Sequence, residues 1–201
     1  DSCVGGYILP FIEMNGGNVP LWDFRVEGVT SISADIHKYG FAAKGASCIL
    51  YRNIDYFRHQ VFANQDWPGG VFASPAFLGT RPGGAYAAAW AAIQANGIEG
   101  YVALAKKTIE VSNLLKEEIC KLGCFEIIGK PIVSLLAFRS TDKDVNIFAV
   151  GDVMEEKGWH IDRLQMPDAL HAMVTAPHEK VIEAFIADLK DAVQTVREHP
   201  E

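Results

Sequence analysis

The sequence has few cysteines, and no two of them are spaced as in a typical metal or redox motif. Its 201 residues contain four, Cys3, Cys48, Cys120 and Cys124, with no Cys-x-x-Cys pair. Structural zinc sites and thiol redox motifs commonly use that close spacing. We therefore expect free thiols, no metal site and a reducing compartment, which favours a cytoplasmic location.

Long apolar runs are also missing. Hydrophobic residues make up 49% of the chain, yet no uninterrupted stretch approaches the roughly 18 residues that indicate a membrane-spanning helix. A basic segment followed by an apolar one, typical of a signal peptide, does not open the sequence. The sequence therefore predicts no membrane-spanning segment, and enough apolar side chains to bury a core.

Positive charge is in the minority and is scattered along the chain. Lys and Arg number 18 against 25 Asp and Glu, which gives a formal net charge of −7. A nucleic-acid surface needs clustered Lys and Arg to neutralise phosphates. The sequence therefore predicts no nucleic-acid partner, and any phosphate that the protein binds should be small and held locally.

The first half of the chain predicts two strands around a histidine–lysine pair. Residues 29–34 alternate β-branched or small residues with serines, and residues 46–51 form another short apolar run. His37 and Lys38 lie between them. Residues 56–82 mix aromatics, prolines and glycines without a regular period, which is typical of a long, structured and often functional loop.

The second half predicts helices and a small α+β domain. An alanine-rich helix should run from Gly84 to a cap at Gly97, and an amphipathic helix from residue 102 to a stop at Gly123. Beyond it we expect the order strand, strand, helix, strand, strand, helix. The main elements are strands at 132–138 and 172–175 and helices at 147–157 and 179–197.

The opening residues indicate that the sequence continues a longer polypeptide. It begins DSCVGGYILPF, without a methionine, and runs directly into apolar residues that need a fold around them. We expect residues 1–122 to belong to a large domain with its connecting helix, and residues 123–201 to form a small domain.

Lys38 has two interpretations. A lysine in a loop after a strand is usually a solvated charge. Alternatively, an amine in a closed site near other cations loses its proton easily and condenses with an aldehyde as a Schiff base. Pyridoxal phosphate is the biological aldehyde that uses such a lysine, together with an acid at its pyridine nitrogen and donors for its phosphate.

Three motifs decide between these interpretations. The stretches DSCVGGYILPF, SISADIHKYGFAAKGASCILY and ASPAFLGTRPGG, in this order, resemble the sphingosine-1-phosphate lyase family, within the group II pyridoxal-phosphate-dependent decarboxylases. The resemblance covers essentially the whole chain. It implies the α/β fold type I, similar to aspartate aminotransferase, with a mixed, mostly parallel sheet in the large domain and a small α+β C-terminal domain.

The resemblance also implies cofactor roles. Lys38 matches the lysine that forms the Schiff base with pyridoxal 5'-phosphate, and His37 matches the histidine that contacts the cofactor phosphate. Asp1 matches the aspartate that keeps the pyridine nitrogen protonated. Gly79 and Thr80 match loop residues that reach the cofactor phosphate of the other subunit, which implies a homodimer with shared active sites.

Two basic residues are candidates for substrate contacts. Lys44 stands where phosphorylated-substrate lyases carry a lysine and glutamate decarboxylases an apolar residue. We favour a role in binding the substrate phosphate over a merely exposed lysine. Arg81 is either a phosphate ligand or part of an ion pair that fixes its loop.

The implied reaction is the cleavage of sphingosine-1-phosphate or a related phosphorylated sphingoid base to a long-chain aldehyde and phosphoethanolamine. A glutamate or aromatic amino-acid decarboxylase of the same fold is the first alternative, and a catalytically inactive binding or scaffold homologue is the second. Lys44 favours the lyase over the decarboxylase. Lys38 together with Asp1 argues against an inactive homologue.

Overall fold

The computed structural model describes residues 1–199, which divide into two compact units. The first unit is Asp1–Val102, and the second begins at Ala103. This division lies inside a helical segment, α3, which spans Gly84–Lys121. The predicted domain boundary between residues 122 and 123 lies just beyond the end of that segment and stays a prediction.

The first unit contains a pair of antiparallel strands on either side of the histidine–lysine pair. Strand β1 is Ser31–Asp35 and strand β2 is Ser47–Tyr51, with Ser33 opposite Ile49. Side chains in β1 alternate between the two faces, and Ile32 and Ala34 are buried. Both strands confirm the predictions around the histidine–lysine pair, to within one or two residues at their ends.

The first residues of the chain lie beside β1. The N–H of Ser2 donates to the carbonyl of Ser33 at 3.1 Å, and the N–H of Asp35 donates to the carbonyl of Cys3 at 3.1 Å. The bonded residues advance in the same direction along both segments, which is the parallel sense. The N-terminal segment is thereby fixed next to the turn that follows β1.

The rest of the first unit before α3 consists of short elements. These are the 3-10 turns Gly5–Tyr7 and Arg58–Gln60, helices α1 (Leu9–Met14) and α2 (Ile54–Phe57), and the antiparallel strands β3 (Phe62–Asn64) and β4 (Phe72–Ser74). The β3–β4 hairpin falls in the stretch for which the sequence predicted an irregular loop. Strands of three residues are too short to show a recognisable alternation.

Gly97 interrupts the helical segment α3. Its φ of 57° and ψ of −174° lie outside the helical region, so the segment is kinked there. The sequence predicted a helix cap at this residue and a stop at Gly123, which has a φ of 74° two residues after the last helical residue, Lys121. Neither α3, despite its 38 residues, nor another helix within residues 1–199 has the length and apolarity to cross a membrane.

The second unit contains a four-stranded antiparallel sheet. Its elements after α3 are β5 (Phe125–Ile127), β6 (Leu135–Ser140), α4 (Ile147–Glu156), β7 (Asp162–Leu164), β8 (Ala169–Met173), the 3-10 turn Ala176–Lys180 and α5 (Ile182–Glu198). The order of the strands in the sheet is β5-β6-β8-β7. Phe138, Leu170, Met154 and Leu189 meet in its fully buried core. The predicted order of strands and helices is confirmed.

The strand pairs within residues 1–199 are all antiparallel, although the resemblance implied a mostly parallel sheet for the large domain. Parallel neighbours need a crossover of about a dozen residues or more, usually a helix. The turn between β1 and β2 covers only residues 36–46 and contains no helix. In the described chain, the parallel component is the pairing of Ser2 and Cys3 with β1.

Two glycines allow close backbone packing around β1. A Cβ atom added to Gly6 would lie 2.6 Å from the Cβ atom of Ala34. A Cβ atom added to Gly40, in the turn after β1, would lie 2.4 Å from the carbonyl oxygen of Ile36. Since real Cβ atoms do not approach other atoms this closely, the turn that carries Lys38 requires glycine at position 40.

Replacing Gly40 with alanine should destabilise the first unit by about 1–3 kcal/mol, because the backbone of Ile36 has to move. Gly83→Ala is the matched control, since no atom lies within 4 Å of the position that its added methyl group would take. Its effect should stay within about 0.5 kcal/mol. Denaturant titration measures both values, and equal effects of the two substitutions would contradict the packing argument.

Candidate active site

The turn after β1 is built on one buried carbonyl group. The N–H groups of Ile36 and His37 both donate to the carbonyl of Ala46 at 3.1 Å, and Nδ1 of His37 donates to the same oxygen at 2.7 Å. Ala46 is fully buried. The tight turn therefore fixes the backbone of the histidine–lysine pair and the orientation of the imidazole.

Lys38 contacts a carboxylate and a thiol. Its Nζ lies 2.9 Å from Oδ2 of Asp35 and 3.1 Å from Sγ of Cys3. The hydrogen bond to Asp35, followed by the one to Cys3, raises the pKa of the Lys38 ammonium above its ordinary value. In the described chain, the groups that contact this amine are therefore a carboxylate and a thiol, and no cation among them lowers its pKa.

Asp35 is the site residue that the sequence analysis missed. Its Oδ1 accepts a hydrogen bond from the hydroxyl of Ser47 on β2, while Oδ2 faces Lys38. The Ser47 hydroxyl and then the Lys38 ammonium hold the pKa of the Asp35 carboxyl below its ordinary value. An acidic residue three positions before a turn lysine was the available signal, because a turn brings residues at that spacing together.

His37 presents one ring nitrogen away from the backbone. With the hydrogen of Nδ1 donated to Ala46, the other nitrogen, Nε2, lies 3.7 Å from Oδ2 of Asp35. The carbonyl thus fixes which ring nitrogen carries the proton in the neutral imidazole. Nε2 remains available to a further partner.

Asp1 lies on the segment beside β1. Its Oδ1 accepts hydrogen bonds from the N–H of Cys3 at 2.8 Å and the hydroxyl of Ser33 at 2.9 Å. Cys3, in turn, contacts the amine of Lys38. The structure thereby links Asp1 and Lys38 through one intervening residue.

The other predicted site residues are exposed, and the described hydrogen bonds and ion pairs do not join them to this cluster. Lys44 makes no ion pair within residues 1–199. Gly79 has a φ of 68°, and Arg81 donates through Nη1 to the carbonyl of Thr80 at 2.7 Å. In the described part of the chain, no hydrogen bond or ion pair joins Gly79, Thr80 or Arg81 to Lys38. Their assignments stay predictions.

The cluster fits the needs of a pyridoxal cofactor. Lys38 supplies a primary amine whose side chain is 28% exposed. Asp1 supplies a carboxylate whose described hydrogen bonds involve Oδ1, so Oδ2 can accept from another group. His37 supplies Nε2. An amine, a carboxylate and an imidazole fit the aldehyde, ring nitrogen and phosphate of such a cofactor.

The Asp35–Lys38 pair should contribute to stability in a pH-dependent way. A double-mutant cycle with Asp35→Asn and Lys38→Met should give a coupling of about 1 kcal/mol near pH 7. The lowered pKa of Asp35 means that coupling is present above the ordinary carboxyl range and is lost as pH falls through the folded-state value. The raised pKa of Lys38 means that it is lost at the alkaline end as pH rises through the folded-state value.

Denaturant titrations of the four proteins across the pH range measure this coupling. The Glu118–Lys121 pair on α3, whose lysine side chain is 65% exposed, is the control and should give a smaller coupling, because solvent screens an exposed pair. An Asp35–Lys38 coupling of zero at pH 7, or one that is unchanged in strong acid, would contradict the contact as described.

Comparison with known proteins places the chain in a family. The model of the pyridoxal-dependent decarboxylase conserved domain matches residues 1–141. Sphingosine-1-phosphate lyase of Arabidopsis thaliana is 44% identical over 200 residues, which cover the whole chain but 36% of that protein. The enzyme of Saccharomyces cerevisiae is 40% identical over 98% of the chain and 33% of its own length. The chain thus spans about a third of the curated relatives that it matches.

Solved structures agree with this family. A sphingosine-1-phosphate lyase of Burkholderia pseudomallei is 42% identical, with a TM-score of 0.91 over 98% of this chain and 45% of that one. A glutamate decarboxylase of Lactobacillus brevis is 25% identical, with a TM-score of 0.82 over 99% of this chain and 47% of that one. The fold type I prediction is confirmed. Because the family model matches well over half of its residues, the chain belongs to the pyridoxal-dependent decarboxylase family.

Proposed function

We propose that this chain forms the lysine-bearing part of a pyridoxal-phosphate-dependent lyase. The enzyme would cleave sphingosine-1-phosphate, or a related phosphorylated sphingoid base, to a long-chain aldehyde and phosphoethanolamine. The observation that carries the proposal is the amine of Lys38, fixed at the end of β1 and linked through Cys3 to the carboxylate of Asp1. The identity to sphingosine-1-phosphate lyases along the whole chain supports the substrate class.

Three residues would hold the cofactor. Lys38 would bind its aldehyde carbon through Nζ, and His37, when both of its ring nitrogens carry a proton, would donate from Nε2 to its phosphate. Asp1 would hold a proton at the pyridine nitrogen with its carboxylate. When bound, pyridoxal phosphate supplies a ring that accepts the electron pair left behind when a bond to carbon breaks.

Side chains of this chain would then hold and transfer the protons of the reaction. Asp1 would keep its proton shared with the ring nitrogen throughout, since Ser33 and the N–H of Cys3 orient its carboxylate. Lys38, once released, can carry a proton on Nζ to the substrate carbon that has lost its aldehyde fragment. Bond cleavage between C2 and C3 of the substrate begins when a base removes the proton of the 3-hydroxyl group.

Exposed residues of two segments would bind the phosphate groups of the substrate and the cofactor. Lys44, on the turn between β1 and β2, would place its ammonium on the substrate phosphate. Gly79 and Thr80 would reach the cofactor phosphate of a second subunit, so we propose a homodimer with shared sites. Arg81 would contact the substrate phosphate from the same loop. A substrate without a carboxylate needs no arginine clamp for one, which agrees with a site built on these groups.

An amino-acid decarboxylase is the second candidate. The TM-score of 0.82 to a glutamate decarboxylase shows that the same fold serves that chemistry. The two candidates differ in product, because the decarboxylase releases carbon dioxide and the lyase a long-chain aldehyde. Carbon dioxide from an amino acid, without aldehyde from sphingosine-1-phosphate, would overturn the lyase proposal.

Replacing Lys38 with alanine should abolish aldehyde release by the complete protein, because no other described amine contacts Cys3 and Asp35. The fold should persist, since a partly exposed ion pair contributes only about 1 kcal/mol. Lys143→Ala, which removes an exposed lysine of the second unit, is the control. Aldehyde is measured by mass spectrometry and folding by circular dichroism. Full activity of Lys38→Ala would contradict the assignment.

Replacing Lys44 with glutamine should raise KM for the phosphorylated substrate by about tenfold to a hundredfold, with a smaller change in kcat. A hydrogen bond to a charged group is worth about 1.5–3 kcal/mol, and each 1.4 kcal/mol is a factor of ten. Steady-state kinetics on the complete protein give both constants, with Lys143→Gln as the matched control. An unchanged KM would contradict a role of Lys44 in binding the substrate phosphate and would mean that it is an ordinary exposed lysine.

A further inference from the structure

The reaction proposed above exposes its own lysine to a reactive product. Lys38 must leave the cofactor when substrate takes its place, and a long-chain aldehyde then forms nearby. An uncharged amine condenses with an aldehyde, forming a carbon–nitrogen double bond and releasing one water molecule. This reaction uses the lone pair of Nζ, which an ammonium lacks. A lysine that stays charged when free is therefore protected.

The structure provides a group with this effect. Oδ2 of Asp35 lies 2.9 Å from Nζ of Lys38, and the Asp35 side chain is only 15% exposed. The hydroxyl of Ser47 holds the other carboxylate oxygen, so the charge of Asp35 is fixed in place by a residue of the neighbouring strand. One oxygen of the Asp35 carboxylate is therefore held by Ser47, and the other contacts the amine of Lys38 directly.

We propose that Asp35 is a positioning residue that keeps Lys38 as an ammonium whenever no cofactor is linked to it, and thereby protects the lysine from free aldehydes. The inference rests on the proposed function for its biological meaning, because that function supplies the aldehyde. The contact itself is a property of the described chain. Asp35 acts through Lys38 and needs no contact with substrate.

The neighbouring titratable groups are compatible with this role. Cys3 approaches Lys38 from the N-terminal segment at 3.1 Å, and its sulfur accepts a hydrogen bond from the ammonium. His37 lies 3.7 Å from Asp35 on the turn itself. Cys48, on β2, lies close enough for the charge of Asp35 to contribute to its raised pKa, whose main cause is burial. Of these groups, Asp35 is the one that forms an ion pair with the Lys38 ammonium.

Reductive alkylation tests the proposal without the cofactor. The purified protein, freed of pyridoxal phosphate, is treated with propanal and cyanoborohydride at a series of pH values, and each lysine is quantified by peptide mass mapping. In the unaltered protein, the rise in Lys38 labelling should occur at higher pH than that of the exposed Lys143. In Asp35→Asn it should move to lower pH, with about tenfold more labelling for each pH unit of displacement at any pH below the rise.

Two further variants separate charge from packing. Asp35→Glu keeps the carboxylate and should restore much of the protection, whereas Glu118→Gln removes the partner of Lys121 and should leave Lys38 unchanged. A change in the accessibility of Lys38 would multiply its labelling by the same factor at every pH. A loss of charge pairing instead displaces the profile along the pH axis.

The proposal is overturned if Lys38 in the unaltered protein is labelled at the same or lower pH than Lys143, a result that needs no variant. It is also overturned if Asp35→Asn leaves the profile in place or only scales it. Neither result depends on cofactor binding. Failure of the lyase proposal would appear separately, as absence of aldehyde release by the complete protein.

Discussion

The ion pair between Asp35 and Lys38 is the contact on which the candidate site depends. It closes the turn at the end of β1, and Ser47 of β2 holds its acidic member. The adjacent carbonyl of Ala46 accepts hydrogen bonds from two backbone N–H groups and from the imidazole of His37. These contacts fix both side chains of the histidine–lysine pair before any cofactor is bound.

The rest of the first unit supports this turn. Gly40 lets the turn fold back on Ile36, and Gly6 lets the N-terminal segment pack against Ala34. Tyr101, near the end of the first unit, is buried and donates its hydroxyl to the carbonyl of Gly40 at 2.7 Å. The pairing of β1 with β2, the two glycines and this buried hydroxyl therefore all stabilise β1 and the turn that follows it. Their combined effect is to hold an amine and a carboxylate on neighbouring segments.

Sequence reasoning recovered the parts of this arrangement that leave local signals. The strand before the histidine–lysine pair showed alternation and the strand after it a short apolar run, and Gly97 and Gly123 marked where helices are interrupted or end. The motif around Lys38 pointed to a family that the comparisons confirm. Asp35 was missed although its position three residues before Lys38 was a signal, because its role also depends on Ser47 across the sheet, which the order of residues does not display.

The differences in sheet structure have a similar cause. The β3–β4 hairpin joins strands of three residues, for which pattern carries little information. Its aromatic residues Phe62 and Phe72 lie across the hairpin from each other, with ring centroids 6.3 Å apart. The antiparallel direction of β1 and β2 agrees with the short connection between them, residues 36–46. The mostly parallel sheet that the family resemblance implied did not take the length of this connection into account. The proposed roles of Lys44 and Arg81 depend on a phosphate and a second subunit, which local sequence patterns cannot position.

Borohydride reduction of the complete protein with pyridoxal phosphate, followed by peptide mass mapping, tests directly whether Lys38 is the cofactor-binding lysine. We expect one stable pyridoxyl group, attached to Nζ of Lys38. A pyridoxyl group on another lysine, or none on the complete protein, would contradict it.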